Sequence, residues 1–442
     1  MKKTNFRWVV LAMIFITYTI NFADRSNIGV ALPFIKDEFQ MTNMEAGGIA
    51  SMFFLGYAIS QIPAGFVLSK IGVRGTVSLS IIGFSVCTFL MGTAKTASFL
   101  NWCRLGLGLC EGPTPVGLTS TINNWFPAKE KATAVGVYIA STMFAPIIIP
   151  PLCVWIATTY GWRYIFYIFA IPGLFMSVVW YLVIRTRPSE CKHVNEAEVA
   201  YINQQDTAAS AAKSDFKSFG LLDKIIRIKN VKKLTSNLSV FKSWNIWGNC
   251  LSYFMMVSVL YGIMTWIPSY LVTAKHYSFE RMGFLAAAPW IGGLIGSIVG
   301  GWISDKMLAK RRKPTMLFTA LATCVMMVIM INLPNSSFAM GLALFMTGFL
   351  LNVGWPAFTA YPMGVADKNT YPVAIAVVNS GGNLGGAFSP LVAGYLLDVF
   401  SSYDLVFGFF GIAAVIGFLL ILSIDEPMDN IPTDVGGAEA KG

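Results

Sequence analysis

The sequence predicts an all-α integral membrane protein, with twelve transmembrane helices arranged as two six-helix bundles. The first observation is composition, because 55% of the 442 residues are hydrophobic and only 12% are charged, whereas soluble domains carry about 25% charged residues. The mean hydropathy of +0.62 agrees with this class. The second observation is a series of twelve apolar segments, and the third is a repeat that relates the two halves of the chain.

The apolar segments are each about 20 residues or longer, the length that a helix needs to cross the hydrocarbon core. They cover 8–31, 45–68, 76–95, 98–122, 133–157, 163–184, 245–272, 279–304, 314–333, 338–361, 372–397 and 404–424. They divide the chain into a six-helix bundle over 1–184, a basic linker over 185–243, a second bundle over 244–426 and a tail over 427–442. Because the first segment is long and lacks a small-residue cleavage site, we interpret it as a retained helix rather than as a signal peptide.

The distribution of basic residues predicts the orientation in the membrane. Of the 32 Lys and Arg residues, 25 fall in the N-terminus, the even-numbered loops and the C-terminus, which we call the basic side. The opposite side holds four, namely Lys36, Lys95, Lys275 and Arg281. Since Lys and Arg concentrate in cytoplasmic loops, both termini are predicted to be cytoplasmic in a multi-pass protein of a bacterial inner or plasma membrane. The net charge of +10 reflects this asymmetry and does not indicate nucleic-acid binding.

The two halves repeat each other with an offset near 240 residues. The loop after the second segment reads GFVLSKIGVR at 65–74, and the loop after the eighth reads GWISDKMLAKRRK at 301–313. Likewise AVGVYIASTMFAPIIIPP at 134–151 is echoed by AIAVVNSGGNLGGAFSPL at 374–391. Parallel six-helix repeats around a central site are typical of secondary transporters that work by alternating access.

Cysteine and histidine usage argues against a metal centre or an enzyme. Six of the seven Cys residues lie in apolar segments, and no two have CxxC spacing, so neither a disulfide framework nor a zinc site is indicated. The two His residues, His193 and His276, lie in loops. We therefore expect no bound cofactor, and no nucleophile–base pair points to catalysis.

Charged side chains inside two predicted spans raise the main functional question. Asp24 and Arg25 are adjacent in the first span, within NFADRSNIGV at 21–30. Arg104 and Glu111 lie in the fourth span, seven residues or two turns apart, so they share one helix face about 10 Å from each other. A charge within hydrocarbon costs roughly 3 kcal/mol or more, so each of these groups requires compensation. Gly112, which Pro113 and Pro115 follow, predicts a bend in this span.

Two explanations of these charges remain open at this point. In the first, Asp24–Arg104 or Glu111–Arg25 are static pairs between helices. In the second, the arginines bind a substrate carboxylate, for which their planar fork is suited, and the acids carry protons. A carboxyl group in apolar surroundings favours its neutral form, which suits the second explanation.

Several stretches resemble known transporter signatures. The GFVLSKIGVR loop is similar to the loop signature of the major facilitator superfamily. The stretches YTINFADRSNIGVALP at 18–33, GYAISQIPAG at 56–65, RLGLGLCEGPTPVG at 104–117 and NNWFP at 123–127 resemble the anion:cation symporter family within it. That family includes bacterial galactonate, glucarate, hexuronate and tartrate transporters, and animal relatives such as sialin.

The resemblance implies roles for individual positions. Family acids matching Asp24 and Glu111 take part in proton coupling, and arginines matching Arg25 and Arg104 lie near the substrate. Tyr57 matches a cavity residue and is expected to hydrogen-bond the substrate carboxylate.

The resemblance also implies gating positions and a departure from the pattern. The first loop signature normally has an acidic residue where this chain has Ser69, whereas the second copy keeps Asp305. We expect Ser69, Arg74 and Asp305 to act in conformational gating, with a weaker or differently partnered latch in the first half.

The second half offers neutral polar groups in place of charges. Tyr253 and Tyr261 in the seventh span and Asn379 in the eleventh are candidates for binding the substrate, and Asn379 matches a family substrate-site position. We interpret Asn352 and Trp355 in the tenth span as packing residues.

The sequence therefore predicts a monomeric secondary transporter that imports a small organic anion with a co-transported proton through the lipid bilayer. A sugar acid (an aldonate, hexuronate or aldarate) is the first expectation. An aromatic or dicarboxylic acid and sodium coupling remain alternatives within transport. A sensor that binds its ligand without moving it is the alternative from another class, and it is disfavoured because nothing resembling a signalling domain is present.

Overall fold

A computed structural model describes residues 3–203, 220–309, 311–334, 336–367 and 370–427. The predicted tail beyond 427 and the linker residues 204–219 lie outside the described residues. The helices are α1 (Arg7–Phe39), α2 (Asn43–Gly92), α3 (Ala97–Glu111), α4 (Pro113–Trp125), α5 (Ala128–Tyr160), α6 (Trp162–Val183), α7 (Glu196–Ile202), α8 (Leu221–Ile225), α9 (Asn237–Lys242), α10 (Trp244–Thr273), α11 (Phe279–Trp302), α12 (Lys313–Ile331), α13 (Ser337–Val353), α14 (Trp355–Val365), α15 (Tyr371–Phe400) and α16 (Tyr403–Ser423); the strands are β1 (Ile228–Lys229) and β2 (Glu426–Pro427).

Every predicted span falls on a helix, and the all-α membrane fold is confirmed. Helix α2 carries the second and third spans, and the fourth and tenth spans are each divided between two helices, α3–α4 and α13–α14. Within the described residues, nine helical segments are long and apolar enough to cross a membrane by length and composition. The three remaining predicted spans lie in α2, in α3–α4 and in α15.

The interruptions in the long helices follow from glycine and proline. Helix α2 is kinked at Gly72, whose φ of +70° is a conformation that a residue without Cβ adopts readily. Helix α3 ends at Glu111 and α4 begins at Pro113, because prolines lack the N–H that would continue the hydrogen-bond ladder. The helix is thus interrupted at Gly112, the position where a bend was predicted. The second half repeats it at Gly354, which separates α13 from α14.

The described residues pack as two compact units. The first contains residues 3–203 together with 264–287 and 390–398, that is, the end of α10, the start of α11 and part of α15. Within it, α2 packs against α3 and α6, and α1 packs against α5. The domain boundaries drawn from the sequence remain a prediction.

The start of α2 and the end of α15 approach each other closely within this first unit. A Cβ at Gly47 would lie 2.2 Å from the carbonyl oxygen of Pro390, so backbone packs on backbone. The two carboxylate oxygens of Asp398 accept hydrogen bonds from the backbone N–H groups of Asn43 and Met44, both at 2.7 Å. A carboxylate at a helix N-terminus satisfies free N–H groups and interacts favourably with the helix dipole.

The second unit contains the described residues of 220–263, 288–389 and 399–427. Within it, α12 packs against α16 and α13. The end of the predicted linker is bound into this unit, since β1 pairs in parallel with β2 and Asp223 forms an ion pair with the buried Arg311 at 2.9 Å. The buried Lys313 Nζ donates to the carbonyl oxygens of Ile226, Leu422 and Ile424 at 2.5–3.1 Å.

Candidate functional site

Helices α1 and α3 bring the four predicted charges into the first unit. Asp24 and Arg25 lie in the middle of α1, whereas Arg104 and Glu111 lie two turns apart on α3. All four are buried, with exposed fractions of 5% or less. All four predicted charges are therefore buried within the first unit.

Arg25 and Glu111 form an ion pair between α1 and α3. The Arg25 Nε donates to one Glu111 carboxylate oxygen at 2.9 Å. The Arg25 Nη2 also donates to Asn21 Oδ1 at 3.3 Å. The guanidinium carbon lies 4.5 Å from the ring centroid of Tyr57 and 4.5 Å from that of Phe22, distances at which a cation and an aromatic face attract. Tyr57 thus lies beside Arg25, and its expected hydrogen bond to the substrate stays a prediction.

The Glu111 carboxylate is only half satisfied. Its second oxygen, Oε1, is buried without a hydrogen-bond partner among the described residues, and the same holds for Asn21 Nδ2. Buried polar atoms without partners are uncommon in folded proteins. The free Glu111 oxygen can therefore accept a hydrogen bond or a proton.

Arg104 contacts α1 through its backbone. Its Nη1 donates to the Asp24 carbonyl oxygen at 3.1 Å, and its Nε donates to the Ile49 carbonyl oxygen at 3.4 Å. Within the described part of the chain, no carboxylate lies within ion-pair distance of Arg104. Of the two static pairs considered from the sequence, Glu111–Arg25 therefore forms and a side-chain pair between Asp24 and Arg104 does not.

The Asp24 carboxyl group is buried next to neutral groups. Its Oδ1 accepts a hydrogen bond from Asn27 Nδ2 at 3.4 Å. In the described residues it has no basic group within 4 Å. An isolated ionised carboxylate is costly to bury, whereas a neutral acid is not. This setting suits a carboxyl group that carries a proton.

Three neighbouring polar residues escaped the sequence-based prediction. Asn21 lies between Glu111 and Arg25, while Tyr18 of α1 and Tyr138 of α5 stack with ring centroids 4.5 Å apart. Tyr18, Asn21 and Arg25 have the spacing i, i+3, i+7, which places them on one face of α1, and this signal was available in the sequence. Nothing near Tyr138 in the sequence distinguishes it from other aromatic residues of the span.

The second-half candidates lie in the second unit, around α10 and α15. The Tyr253 ring contacts those of Trp355 and Phe358, with centroids 5.1 and 5.7 Å away. Gly382, one turn after Asn379, faces the same ring. Tyr253, Trp355 and the Asn379 turn of α15 are therefore neighbours.

The other second-half residues differ in their surroundings. Tyr261 is half-buried two turns further along α10. The buried Asn352 donates to the Gly348 carbonyl oxygen of its own helix at 2.9 Å, which agrees with a packing role.

The predicted gating residues have different partners in the two halves. Asp305 forms an exposed ion pair with Arg312 at 2.7 Å. Ser69 lies in α2, but its side chain is outside the described residues. Arg74 donates to the Tyr181 carbonyl oxygen at 2.5 Å and lies 3.9 Å from the Tyr181 ring centroid. In the first half, then, the arginine of the loop signature binds a carbonyl group and a ring.

The described residues contain no group of three or more His, Cys, Asp or Glu side chains that could hold a metal ion.

Comparisons with known proteins agree with this architecture. The family model for the Major Facilitator Superfamily matches residues 14–370 and 308–440. The D-galactonate transporter of Escherichia coli O6:H1 is 30% identical over 404 residues, covering 88% of this chain and 89% of the relative. The probable galactarate/D-glucarate transporter GudP of Bacillus subtilis is 29% identical over 440 residues, covering 95% and 93%.

A solved structure shares the fold. A bacterial homologue of the human lysosomal transporter Spinster, in an inward-facing and unoccupied conformation, superposes with a TM-score of 0.74 at 17% identity, covering 94% of this chain and 97% of that one. These matches are to transporters and not to enzymes. The chain belongs to the major facilitator superfamily.

Proposed function

We propose that this protein imports a sugar acid together with a proton by alternating access, and that the Arg25–Glu111 pair is where the two are coupled. The observation that carries this proposal is the half-satisfied, buried Glu111 carboxylate, bound to Arg25 through only one oxygen. A pair built only to hold two helices together has both oxygens bonded more often than not. A free carboxylate oxygen beside an arginine can bind a proton when the arginine turns to a substrate carboxylate.

Arg25 supplies the binding group for the substrate carboxylate. Its guanidinium can donate two parallel hydrogen bonds to a carboxylate, and Tyr57 stands against it with a hydroxyl that can add a third. Sugar acids are named as substrates of the two relatives described above, galactonate for one and galactarate or D-glucarate for the other. Both classes present a carboxylate followed by a hydroxylated carbon chain.

Glu111 supplies the proton site. When a substrate carboxylate takes the Arg25 hydrogen bonds, Glu111 loses the one cation that lies at hydrogen-bond distance from it among the described residues. A proton taken from the external solution then binds a Glu111 carboxylate oxygen and leaves it neutral. Release of the substrate on the other side lets Arg25 pair with Glu111 again, and the proton departs. Substrate and proton therefore travel together because each makes the other's binding favourable.

Asp24 and Arg104 complete the first-half site. Asp24 is a second proton carrier, since it is buried without a basic group within 4 Å among the described residues. Arg104 holds the α1 backbone at Asp24 through the carbonyl bond, and it adds positive charge for the anion.

The second half and the loops have supporting roles in this proposal. Tyr253, Tyr261 and Asn379 donate to or accept from the substrate hydroxyl groups. Arg74 with Ser69, and Asp305, belong to the gate on the basic side. The protein acts as a monomer in the bacterial inner membrane, with both termini in the cytoplasm, as the Lys and Arg distribution indicates.

Uptake of labelled D-galactonate and D-glucarate into proteoliposomes tests the proposal. We expect accumulation only with an inward proton gradient, and abolition by a protonophore. Uptake that follows a sodium gradient would replace the proton by sodium. Absence of uptake of both acids, with competition by an aromatic or another dicarboxylic acid in a binding assay, would move the substrate to that class.

Asp24→Asn tests the second proton site. The amide keeps the size of the side chain but cannot release a proton, so we expect the pH dependence of uptake to lose one step and to flatten. The measurement is the initial uptake rate from pH 5 to 8, with wild type in parallel. A pH profile identical to that of wild type would make Asp24 a structural residue.

A further inference from the structure

The proposed function leaves two stacked tyrosines near the Arg25–Glu111 pair unexplained. Tyr18 and Tyr138 stack with their planes 20° apart; Tyr18 is buried, with 6% of its surface exposed, and Tyr138 is half-buried. A buried tyrosine hydroxyl normally finds a hydrogen-bond partner. Among the described residues, neither hydroxyl forms a hydrogen bond to a group outside this stacked pair. The pair therefore presents two phenol groups with spare hydrogen-bonding capacity.

The position of the pair relative to Arg25 is fixed by α1. Tyr18 lies seven residues before Arg25, which is about 10 Å along the helix axis and on the same face. Asn21 lies between them with a buried Nδ2 that lacks a partner in the described part of the chain. Phe22 joins the two ends, since its ring contacts both Tyr18 and Arg25. A polar strip with an aromatic edge thus extends from Arg25 toward the basic side.

The length of this strip matches a six-carbon acid. An extended six-carbon chain measures about 6 Å between its terminal carbons, and a hydrogen bond of about 2.8 Å at each end extends its reach to about 12 Å. A carboxylate bound at Arg25 therefore places the far end of the chain at Tyr18 and Tyr138. A phenol hydroxyl both donates and accepts, which suits a hydroxyl group or a second carboxylate there.

We propose that Tyr18 and Tyr138 form a subsite that recognises the oxygen atoms at the far end of the sugar acid, while Arg25 binds its carboxylate. The inference rests on the proposed function and deepens it, because it makes these two tyrosines the residues that select hydroxylated acids over plain carboxylates. Asn21 contributes to the middle of the same strip.

The test compares two ligands with the same carbon skeleton. D-Galactonate carries five hydroxyl groups that hexanoate lacks, one of them at the end of the chain farthest from the carboxylate, and both have a carboxylate for Arg25. Binding of each is measured on the full-length protein in nanodiscs by displacement of labelled galactonate. We expect Tyr138→Phe and Tyr18→Phe each to weaken galactonate binding about threefold to tenfold, and to leave hexanoate binding unchanged.

Tyr167→Phe is the matched control. Tyr167 also lies in the first unit, but its hydroxyl donates to the Gly92 carbonyl oxygen at 2.8 Å, so its loss is expected to leave the ratio of the two affinities unchanged. A ratio unchanged in Tyr138→Phe and Tyr18→Phe, or an equal loss for both ligands, overturns the subsite. Failure of wild type to bind any sugar acid overturns the proposed function itself, and the subsite with it.

Discussion

Glu111 and Glu198 are both fully buried and both pair with an arginine of α1, yet their carboxylates are bonded very differently. Glu198 of α7 accepts four hydrogen bonds: from the backbone N–H and Nη1 of Arg7 at 3.2 and 3.1 Å, from the backbone N–H of Phe6 at 3.0 Å, and from the Thr4 hydroxyl. Glu111 accepts a hydrogen bond from Arg25 at one oxygen, and its other oxygen has no partner in the described residues.

The difference separates a carboxylate that holds a structure from one available for exchange. Glu198 ties the linker helix to the first residues of the chain, and any proton or ligand would have to displace bonds already made. Glu111 can gain a proton without losing a bond at its second oxygen. Burial and an arginine partner therefore do not by themselves mark a functional acid, whereas unused hydrogen-bonding capacity does.

The variants Glu111→Gln and Glu198→Gln test most directly whether the two acids differ in function. We expect Glu111→Gln to lose proton-driven accumulation by about a hundredfold, because the amide cannot carry the proton, while exchange of substrate across the membrane continues. Glu198→Gln is expected to keep accumulation per folded molecule within twofold of wild type. Accumulation and counterflow are measured in proteoliposomes with equal amounts of inserted protein. Normal accumulation by Glu111→Gln would remove it from the coupling mechanism.

Replacement of Arg25 and of Arg7 by lysine tests the same difference from the side of the arginine partners. Arg25→Lys removes the planar fork that serves both Glu111 and the substrate carboxylate, so we expect the KM for a sugar acid to rise about tenfold or more. Arg7→Lys is the control, and its effect on KM is expected to stay below twofold, because the acidic groups that Arg7 binds among the described residues are Glu130 and Glu198. Equal KM changes in both variants would contradict the assignment.

The four charges inside the predicted spans could be identified from the sequence, but which of them pair with each other could not. Adjacent residues such as Asp24 and Arg25 point about 100° apart on a helix, so which one faces α3 depends on how the helices rotate against each other. That rotation is set partly by close packing, since a Cβ at Gly108 of α3 would lie 2.0 Å from the Phe53 carbonyl oxygen of α2. Such contacts are not readable from a single sequence.

Glu198 is a buried residue that could not be identified from the sequence at all. It lies in a polar, basic stretch that the sequence marks as a linker, and nothing local indicates that it is buried. Its partners Thr4, Phe6 and Arg7 are more than 190 residues away. Span positions, by contrast, follow from local hydrophobicity, and the break at Gly112 follows from the prolines beside it, so both were predictable.

Glu198→Gln should reduce stability even though it spares transport. The loss of charged hydrogen bonds to a buried group costs about 1–3 kcal/mol, which appears as a lower melting temperature in detergent. Burial acts to raise the pKa of Glu198, but the hydrogen bonds from Thr4, Arg7 and Phe6 outweigh it and lower the pKa. A lowered pKa means that the contribution is present above the unfolded pKa of about 4.3 and is lost as the pH falls below it.

Melting temperatures at different pH values test this direction of the pKa shift. Wild type should lose melting temperature when the pH is lowered from 5 to 3.5, and Glu198→Gln should lose less. Parallel curves for the two proteins over this range would show that Glu198 contributes nothing through its charge.

Glu426 is expected to show a pH dependence of the opposite sign. Burial raises its pKa to about 7, against the backbone N–H groups of Arg312 and Lys313 that donate to its carboxylate. At pH values between the unfolded pKa of about 4.3 and the folded pKa of about 7, the folded protein holds a proton that the unfolded chain has lost. The free energy of unfolding is therefore greatest below this pH range and falls by about 1 kcal/mol per pH unit as the pH rises through it.

Glu426→Gln stays neutral at every pH and should therefore lack this slope. Melting temperatures at pH 5, 6 and 7 should decline in wild type and in Glu198→Gln, and should decline less in Glu426→Gln. Both glutamates lie on the basic side and both accept backbone hydrogen bonds. Opposite pH dependences of stability would therefore mean that burial outweighs the hydrogen bonds at Glu426, whereas the hydrogen bonds outweigh burial at Glu198. A decline in Glu426→Gln as steep as that of wild type would mean that Glu426 stays ionised over this range, and that its two backbone donors suffice to keep the buried charge.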